Sequence, residues 1–544
     1  MNDGRWSGRV WSGRLWSVTG GLLLGFAPPP AVAPFAEWLV LPALMIWFTL
    51  ATGERRPWWH CYLFGCAHMA WFSWSVTHAF VPPYFAIVLL GGIYYLGAAA
   101  VVRALPASWH VPGFALASAA MFWLRSVIPD IHYPHGQPCH AFWQTPWLLR
   151  SVAVGGEPLA NALLAGVAAA LVAVGRSWRC GLPRWRLAWA GLLAAVALWL
   201  GANLLGLAVR PEPTGAEPVR VHCVEPGYRP HEVASWQELR RLLRERLVAP
   251  SRRDLRADEP PDLIVWPESS WPERLTVADI DGGRARVPLG GGTARTRLVV
   301  GGDVDGERGP TPTALLVELP GGRILGRQDK QYLVPGGEFL PLLFLLPRGF
   351  ADWLVDAVAE LVGALPRCVP GAAGPPLATS GGVPFGTLMC YDNAFAGPAR
   401  DRVTAGAQFL VVLSNESWFD GGGELAQLMA MSVVRALETA TPVVRCTTDG
   451  WSGAIDADGR VLAELELAPA PRPEARILRV LLPRGPGRAP PMAWLQRLLG
   501  PLFGILAAVA LAHALVRWVR IRTAKSVPSG SAGSGRPGPG RGGS

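Results

Sequence analysis

Two side chains of this sequence stand where reacting groups are usually presented. Glu268 follows the apolar run 262–266 and a proline, and Cys390 directly follows the run 386–389. Both runs have the composition of strands, and in α/β sheets reacting groups commonly lie at the carboxyl ends of strands. A cysteine after a strand is by default a small buried hydrophobic residue, so Cys390 alone does not establish a catalytic thiol. Both assignments are hypotheses that need further residues to support them.

Lysine usage supplies a third candidate. Of the 50 basic residues only Lys330 and Lys525 are lysine, and Lys330 lies in the long polar region of the chain. Arginine carries a planar charged fork, whereas lysine offers a compact charge on a flexible stem with an adjustable pKa. Chance could explain an isolated surface lysine. Lys330, however, stands in the run 329–335 shortly before Glu338, which favours a functional ammonium group.

The polar region from about 210 to 490 has the pattern of a layered α/β domain. Helical patterns at 232–248, 351–365 and 424–440 fall between runs that are rich in β-branched and aromatic residues. We predict strands at 219–224, 263–266, 298–300, 314–317, 385–389, 409–413 and 443–446. Strands that alternate with helices favour stacked layers of sheet and helix.

The rest of the chain is too apolar for a soluble protein. Half of the 544 residues are hydrophobic, 17% are charged, and the 25 tryptophans fit a membrane–water interface. Most of the apolar stretches approach the roughly 20 residues that cross a bilayer. We predict about eight spans, at 15–27, 35–52, 61–79, 85–105, 112–129, 151–175, 187–209 and 493–518.

These spans divide the chain into four parts. Residues 1–210 form an N-terminal membrane domain of about seven transmembrane helices, residues 211–490 the α/β domain, and residues 491–522 a C-terminal transmembrane helix. The tail at 523–544 is rich in Gly, Ser, Pro and Arg and is expected to be disordered. Arginines cluster before the first span and after the second, sixth and last, with Arg150 the exception on the opposite side. Because cytoplasmic loops hold the excess of basic residues, the α/β domain is predicted outside the cytoplasm and the tail inside.

Composition also excludes some functions. The net charge of +10 does not indicate nucleic-acid binding, because the basic residues flank the spans and form no stripe with interleaved aromatic residues. The eight cysteines contain no Cys-x-x-Cys pair, so neither a zinc ribbon nor a disulfide scaffold is indicated. The segment with His132, His135, Cys139 and His140 holds good metal ligands at unusual zinc spacings. We interpret it as a polar interfacial loop and predict no metal.

The three candidate residues stand in an ordered set of short motifs. The motifs are Trp266-Pro267-Glu268, Asp329-Lys330-Gln331 followed by Leu333-Val334-Pro335 and Glu338, Cys390-Tyr391, and Asn415-Glu416-Ser417-Trp418-Phe419-Asp420. This set resembles the carbon-nitrogen hydrolase (nitrilase) superfamily. With seven spans before it and one after it, the chain up to about residue 520 resembles the apolipoprotein N-acyltransferase family. The resemblance implies an αββα sandwich carried by a polytopic α-helical bundle in the cell inner membrane.

The resemblance also implies a reaction. Cys390 would attack a phospholipid ester, Glu268 would take its proton as general base, and Lys330 would stabilise the oxyanion. The α-amine of a diacylglyceryl-cysteine at an apolipoprotein N-terminus would then take the acyl chain from the thioester, without any cofactor. Supporting residues would be Glu338, Tyr391 and Asp392. Candidates for substrate contacts are Trp236, Trp271 and Trp418.

Some positions depart from the family pattern. Asp392 stands where the family usually has Glu, Gly336 where it has Phe, and Leu428 where it has His. These changes concern substrate contacts more than the three central residues.

Two alternatives stay open. The first keeps nitrilase chemistry with water as the acceptor, which would give a membrane-bound amidohydrolase. The second is a transporter or scaffold whose polar domain only binds. The ordered Glu, Lys and Cys argue against the second alternative, and a catalytic domain tethered at a membrane argues against the first.

Overall fold

The structure is a computed structural model of the chain. It describes residues 4–27, 35–53, 56–79, 81–179, 185–229, 233–271, 273–286, 295–319, 321–362, 367–419, 423–467 and 472–526. The last helix continues to Ser526, a few residues into the predicted tail. The remainder of that tail, 527–544, lies outside the described residues.

Helices coincide with all eight apolar stretches. They are α1 (Gly4–Phe26), α2 (Val40–Thr52), α3 (Pro57–Phe72), α4 (Val76–Ala79), α5 (Val81–Ala104), α6 (His110–Val127), α7 (Val152–Arg179), α8 (Trp185–Ala208) and, far along the chain, α15 (Ala493–Ser526). The predicted stretch 61–79 is interrupted by a turn between α3 and α4. Among the described residues, four helices, α5, α7, α8 and α15, are long and apolar enough to cross a membrane.

Helix α7 is broken near its start, which the sequence pattern did not predict. Gly155 and Gly156 leave the helical conformation, and Gly156 has a φ of 68°, which glycine adopts without a steric penalty. The break frees carbonyl groups that must find other donors, because buried backbone groups are almost always paired. The Gln496 side chain of α15 donates to the carbonyls of Val152 at 3.3 Å and Ala153 at 3.1 Å. Helix α15 thereby closes the bundle against α5, α6 and α7.

Between α8 and α15 the chain forms two stacked sheets. The first has the order β13-β1-β2-β4-β5-β6, with β3 paired to β4, and the second has the order β12-β11-β10-β9-β8-β7. The strands are β1 (Val219–Glu225), β2 (Leu263–Val265), β3 (Leu275–Thr276), β4 (Arg297–Gly306), β5 (Gly309–Glu318), β6 (Ile324–Asp329), β7 (Leu377–Ala378), β8 (Pro384–Met389), β9 (Leu410–Ser414), β10 (Val443–Thr447), β11 (Gly453–Ile455), β12 (Val461–Glu464) and β13 (Arg476–Leu482).

Helices cover the outer faces of both sheets. They are α9 (Trp236–Leu243), α10 (Ala249–Asp254), α11 (Val277–Asp281), α13 (Ala396–Thr404) and α14 (Glu424–Thr439). A further helix, α12 (Arg348–Val362), packs against the turn Leu343–Leu345. The alternation of side chains along a strand explains the layers. In β2, Leu263 and Val265 face the core between the sheets, while Ile264 faces the helical layer. In β9, Val411 faces the same central core and Val412 packs toward α13 and α14. The predicted αββα sandwich is therefore present.

All seven predicted strands are found within a residue or a few of the predicted positions. The strands that were not predicted are β3, β6, β7, β11, β12 and β13. Most of them are two to four residues long, and β13 is interrupted by the exposed Arg479.

We predict that Leu263→Ala destabilises the protein by about 2 to 5 kcal/mol, because it leaves a cavity in the core between the sheets. Leu263 has no exposed surface. The matched control is Leu481→Ala on β13, where the side chain is 57% exposed. Thermal unfolding of the detergent-solubilised chain should show a clear loss for the first variant and little change for the second. Equal effects would contradict the assigned layers.

Candidate active site

Glu268, Lys330 and Cys390 all lie at the carboxyl ends of strands. Glu268 follows β2, Lys330 directly follows β6, and Cys390 directly follows β8. The backbone N–H of Lys330 donates to the carbonyl of Pro312 at 2.9 Å, and its carbonyl accepts from Gly371 at 2.8 Å. The lysine is therefore fixed from both sides. Its position after a strand was not predicted, because β6 has no clear strand pattern.

The ammonium group of Lys330 is fully buried between two carboxylates. Its Nζ lies 3.1 Å from Glu268 Oε1 and 2.6 Å from Glu338 Oε1. Burial lowers the pKa of this ammonium group, but the charges of Glu268 and Glu338 outweigh burial and hold the pKa well above its ordinary value. Lys330 is therefore a permanent cation at neutral pH.

Both carboxylate oxygens of Glu268 accept hydrogen bonds, and its backbone packs closely against Gly301. Its Oε1 contacts Lys330, and its Oε2 accepts the backbone N–H of Asn415 at 3.0 Å. Behind it, Gly301 leaves no room for a side chain, because a Cβ there would lie 2.6 Å from the Cα of Glu268. The carboxylate is thus aimed by strand β4 on one side and by the turn after β9 on the other.

Cys390 has an unusual backbone conformation. Its φ of 44° lies in the left-handed region, which is rare for residues other than glycine and common at functional sites. Its Sγ accepts a hydrogen bond from Ser414 Oγ at 3.5 Å. Burial raises the pKa of the thiol, as does the charge of Glu268, and Lys330 lowers it. A base that takes the thiol proton is therefore required near neutral pH.

The predicted supporting residues surround these three. Glu338 Oε2 accepts the N–H of Val334 at 2.8 Å, and burial raises the pKa of its carboxyl group. The hydroxyl of Tyr391 donates to the carbonyl of His132 at 2.9 Å. Asp392 accepts backbone N–H groups from Gln331 at 3.0 Å, Tyr332 at 2.8 Å and Met389 at 3.4 Å. Its carboxylate therefore joins the segment that begins at Lys330, the lysine loop, to the turn Cys390–Ala394, the cysteine turn.

The three tryptophan candidates have different surroundings. Trp271 lies close to Glu268, and its backbone N–H donates to the carbonyl of Gly301 at 2.9 Å. Trp236 begins α9, and Trp418 lies in the turn that follows Asn415. Both of these indole rings are exposed. Their contact with a substrate stays a prediction.

The histidine segment before α7 is buried between the bundle and the sheets. His132 Nε2 lies 3.1 Å from the carbonyl of Leu333, and His135 pairs with Glu424 at 2.6 Å. The ring of His135 also stacks on Tyr391. Our interpretation as a polar interfacial loop missed these contacts, since sequence does not show which domain would cover the loop. In the described part of the chain, no group of three or more His, Cys, Asp or Glu could hold a metal ion.

Sequence reasoning missed the groups contributed by residues 414–416. Ser414 contacts the thiol, Asn415 contacts Glu268, and the buried carboxylate of Glu416 pairs with Arg445. The motif 415–420 was recognised only as part of the resemblance. A signal was present, because a glutamate this soon after an apolar strand is expected to need a buried partner.

Comparison with known proteins confirms the resemblance. Residues 298–469 match the family model described as carbon-nitrogen hydrolase. The apolipoprotein N-acyltransferase of Geobacter metallireducens is 34% identical over 230 residues, which cover 42% of this chain and 41% of that protein. The proteins of the same name from Allorhizobium ampelinum and Brucella melitensis are both 27% identical, over 83% and 88% of this chain and 87% of each relative.

A solved structure is also similar. The amidase from Nesterenkonia sp. shares 19% identity, covers 53% of this chain and 95% of its own, and has a TM-score of 0.33.

We predict that Asp392 makes the stability of the fold depend on pH between about 4 and 7. Burial raises the pKa of Asp392 to about 6. In this window the folded protein binds more protons at Asp392 than the unfolded chain does, so stability falls as the pH rises. The loss should approach about 3 kcal/mol above pH 6 and be constant from about pH 7.

Thermal unfolding of the chain and of Asp392→Asn between pH 4 and 8 measures this contribution. The stability of the original chain relative to Asp392→Asn should fall from about pH 4 to about pH 7 and be flat above. A difference that is constant over the whole range would contradict the assigned pKa.

Proposed function

We infer that this chain carries out the reaction of apolipoprotein N-acyltransferases, the transfer of an acyl chain to the N-terminus of apolipoproteins. The observation that carries this inference is a buried Glu–Lys–Cys site in a carbon-nitrogen hydrolase domain that is joined to a helical bundle. Similarity to proteins of that name extends over most of the chain. The donor would be a phospholipid, and the acceptor the α-amine of a diacylglyceryl-cysteine.

The geometry supports a role for each central residue in forming a thioester. Glu268 takes the proton of Cys390, and the sulfur attacks the ester carbonyl. Negative charge then develops on the carbonyl oxygen, and the Lys330 ammonium stabilises it. When Glu268 becomes protonated, Lys330 keeps Glu338 as its counter-ion at 2.6 Å. Glu338 therefore holds the cation in place through the step.

The second half of the reaction returns the enzyme to its starting state. Glu268 passes its proton to the departing lysophospholipid alcohol. The incoming amine attacks the thioester and gives a proton to a base, for which Glu268 is again placed. The bond between carbon and sulfur breaks, Cys390 leaves as a thiolate, and Glu268 returns the proton to its sulfur. An amide is the product, and no cofactor is consumed.

We propose the topology predicted from the sequence, with membrane helices in 1–210 and 491–522 and the catalytic domain 211–490 on the extracytoplasmic side. The arginine clusters at one end of the helices support this arrangement. Contacts between the two parts support a site close to the membrane. The N–H of Leu342 donates to Asp130 Oδ2 at 3.3 Å, and Gly336 lies against Pro83 at the start of α5.

Exposed apolar side chains in the segment that follows Glu338 in the chain favour a lipid substrate over a small amide. Phe344 is 73% exposed, and Leu345, Phe350 and Trp353 are exposed as well. Such a surface is unusual beside an open hydrolase cleft but suits acyl chains. It also supports a pocket that keeps water from the thioester. The transferase is therefore favoured over the amidohydrolase.

We predict that phospholipid alone drives a single partial turnover. The purified enzyme in detergent–lipid micelles should release about one lysophospholipid and gain about one acyl group, and then stop, as ping-pong chemistry requires. A diacylglyceryl-peptide should restart turnover. Cys390→Ala is the control, which should unfold at the same temperature and gain no acyl group. Continuous release of free fatty acid without an amine would show a hydrolase instead.

We also predict that Lys330→Arg lowers the rate of acyl-enzyme formation by a hundredfold or more, although charge is kept. The ammonium lies in a fully buried space between two carboxylates, which the planar guanidinium group cannot occupy in the same way. A loss of one oxyanion donor is typically worth about 10²–10³ in rate. Near-normal acylation by a folded Lys330→Arg protein would mean that Lys330 acts only as a diffuse positive charge.

A further inference from the structure

The hydroxyl of Ser414 lies beside the sulfur of Cys390 because two parallel strands end together. Met389 of β8 is paired with Leu413 of β9, so the next residue of each strand, Cys390 and Ser414, are neighbours. Ser414 Oγ donates to Cys390 Sγ at 3.5 Å. Ser414 is buried, which excludes competing water from its hydroxyl.

The following residue touches the other reacting group. The N–H of Asn415 donates to Glu268 Oε2 at 3.0 Å. Its side chain is engaged as well, since Asn415 Oδ1 accepts the hydroxyl of Ser417 at 2.6 Å. Two consecutive residues of one turn thus contact the thiol and the carboxylate that receives its proton. A shift of this turn would change both contacts together.

A buried ion pair holds this turn in place. The carboxylate of Glu416 pairs with the guanidinium of Arg445 and accepts the N–H of Trp451 at 3.1 Å. Arg445 Nη1 in turn donates to Ser432 Oγ at 2.6 Å and to the carbonyl of Leu428 at 3.0 Å, both in α14. Removing one member of a buried pair leaves an uncompensated charge, so the arrangement resists displacement.

The glycine at 450 fits this arrangement. A Cβ at Gly450 would lie 2.3 Å from Glu416 Oε2, so the carboxylate fills the space that a side chain would take. The hydroxyl of Ser414 is also within hydrogen-bonding reach of Glu416. Arg445 and the N–H of Trp451 already donate to this carboxylate, and the hydroxyl of Ser414 is directed to the sulfur at 3.5 Å.

We propose that Ser414 is a further catalytic residue, whose hydroxyl donates a hydrogen bond to the Cys390 thiolate, and that Glu416 and Arg445 are positioning residues that aim it. This inference rests on Cys390 being the nucleophile of the proposed function. When the thiol proton passes to Glu268, the electron pair stays on sulfur and the Ser414 hydroxyl stabilises it. When the thioester breaks, the electron pair returns to sulfur, and the Ser414 hydroxyl again donates a hydrogen bond to the thiolate. Ser414 keeps its own proton in both steps.

The reactivity of Cys390 toward iodoacetamide tests this role without any lipid substrate. The full-length chain and Ser414→Ala are alkylated in detergent over a range of pH, and the peptide that contains Cys390 is quantified by mass spectrometry. Loss of a hydrogen bond to the thiolate should slow the alkylation of Cys390 about tenfold at each pH near neutrality. The chain contains seven other cysteines, so the readout must resolve this peptide.

Matched variants separate the hydroxyl from general destabilisation. Ser251→Ala also removes a buried hydroxyl, one that accepts from Trp266 Nε1 at 2.9 Å away from the thiol, and should leave the profile unchanged. Ser414→Thr and Ser414→Val have the same shape and differ only in the hydroxyl, so this pair decides the question if Ser414→Ala does not fold. Superimposable profiles for Thr and Val, or for Ser and Ala, would overturn the proposal.

The positioning role has its own test. Glu416→Gln should shift the Cys390 profile in the same direction as Ser414→Ala, and the double variant should shift no further than the larger single shift, because both act through one hydrogen bond. Additive shifts would overturn the coupling between Glu416 and Ser414. Alkylation does not require acyl transfer. A chain that shows these shifts but transfers no acyl group would contradict the proposed function and leave the role of Ser414 standing.

Discussion

The arrangement of the site depends on one buried cation. Lys330 has no exposed surface, and burial alone would favour its neutral form. Two carboxylates prevent this, and each must itself be held because a buried carboxylate is costly without donors. Glu268 is held by the backbone of Asn415, and Glu338 by the backbone of Val334. The charge of one side chain therefore dictates the conformation of three separate loops.

These loops can meet because the strands before them end at the same edge of the sandwich. Glu268 and Lys330 come from the first sheet, whereas Cys390 and Ser414 come from the second. The site consequently lies across the seam between the sheets, where the packed core fixes the distance between the base and the thiol. Asp392 adds a direct tie across the seam, since it accepts N–H groups from the lysine loop while it belongs to the cysteine turn. Rigid scaffolding of this kind is what precise proton transfer needs.

The sequence was sufficient for the parts that follow from local pattern. Short apolar runs predicted the strands before Glu268 and Cys390, and a lysine retained among arginines predicted Lys330. Contacts between distant segments could not be predicted in this way. Nothing in the run 323–329 distinguishes β6 from a loop, because its burial comes from its pairing with β5. Likewise, the contact of Ser414 with Cys390 depends on the register of β8 on β9. The burial of Glu416 depends on its pairing with Arg445, which lies about thirty residues away in the chain.

The broken start of α7 has a consequence for the order in which the chain is assembled. The carbonyls of Val152 and Ala153 depend on Gln496 for hydrogen bonds, and Gln496 also donates to the carbonyl of Glu438 at the end of α14. Chain synthesis therefore supplies the donor more than three hundred residues after the acceptors. Until α15 arrives, these carbonyls lack their donor, and unpaired buried carbonyls are costly. Once it arrives, a single amide group joins the start of α7, the end of α14 and α15, so the last helix of the chain completes hydrogen bonds that two earlier elements need.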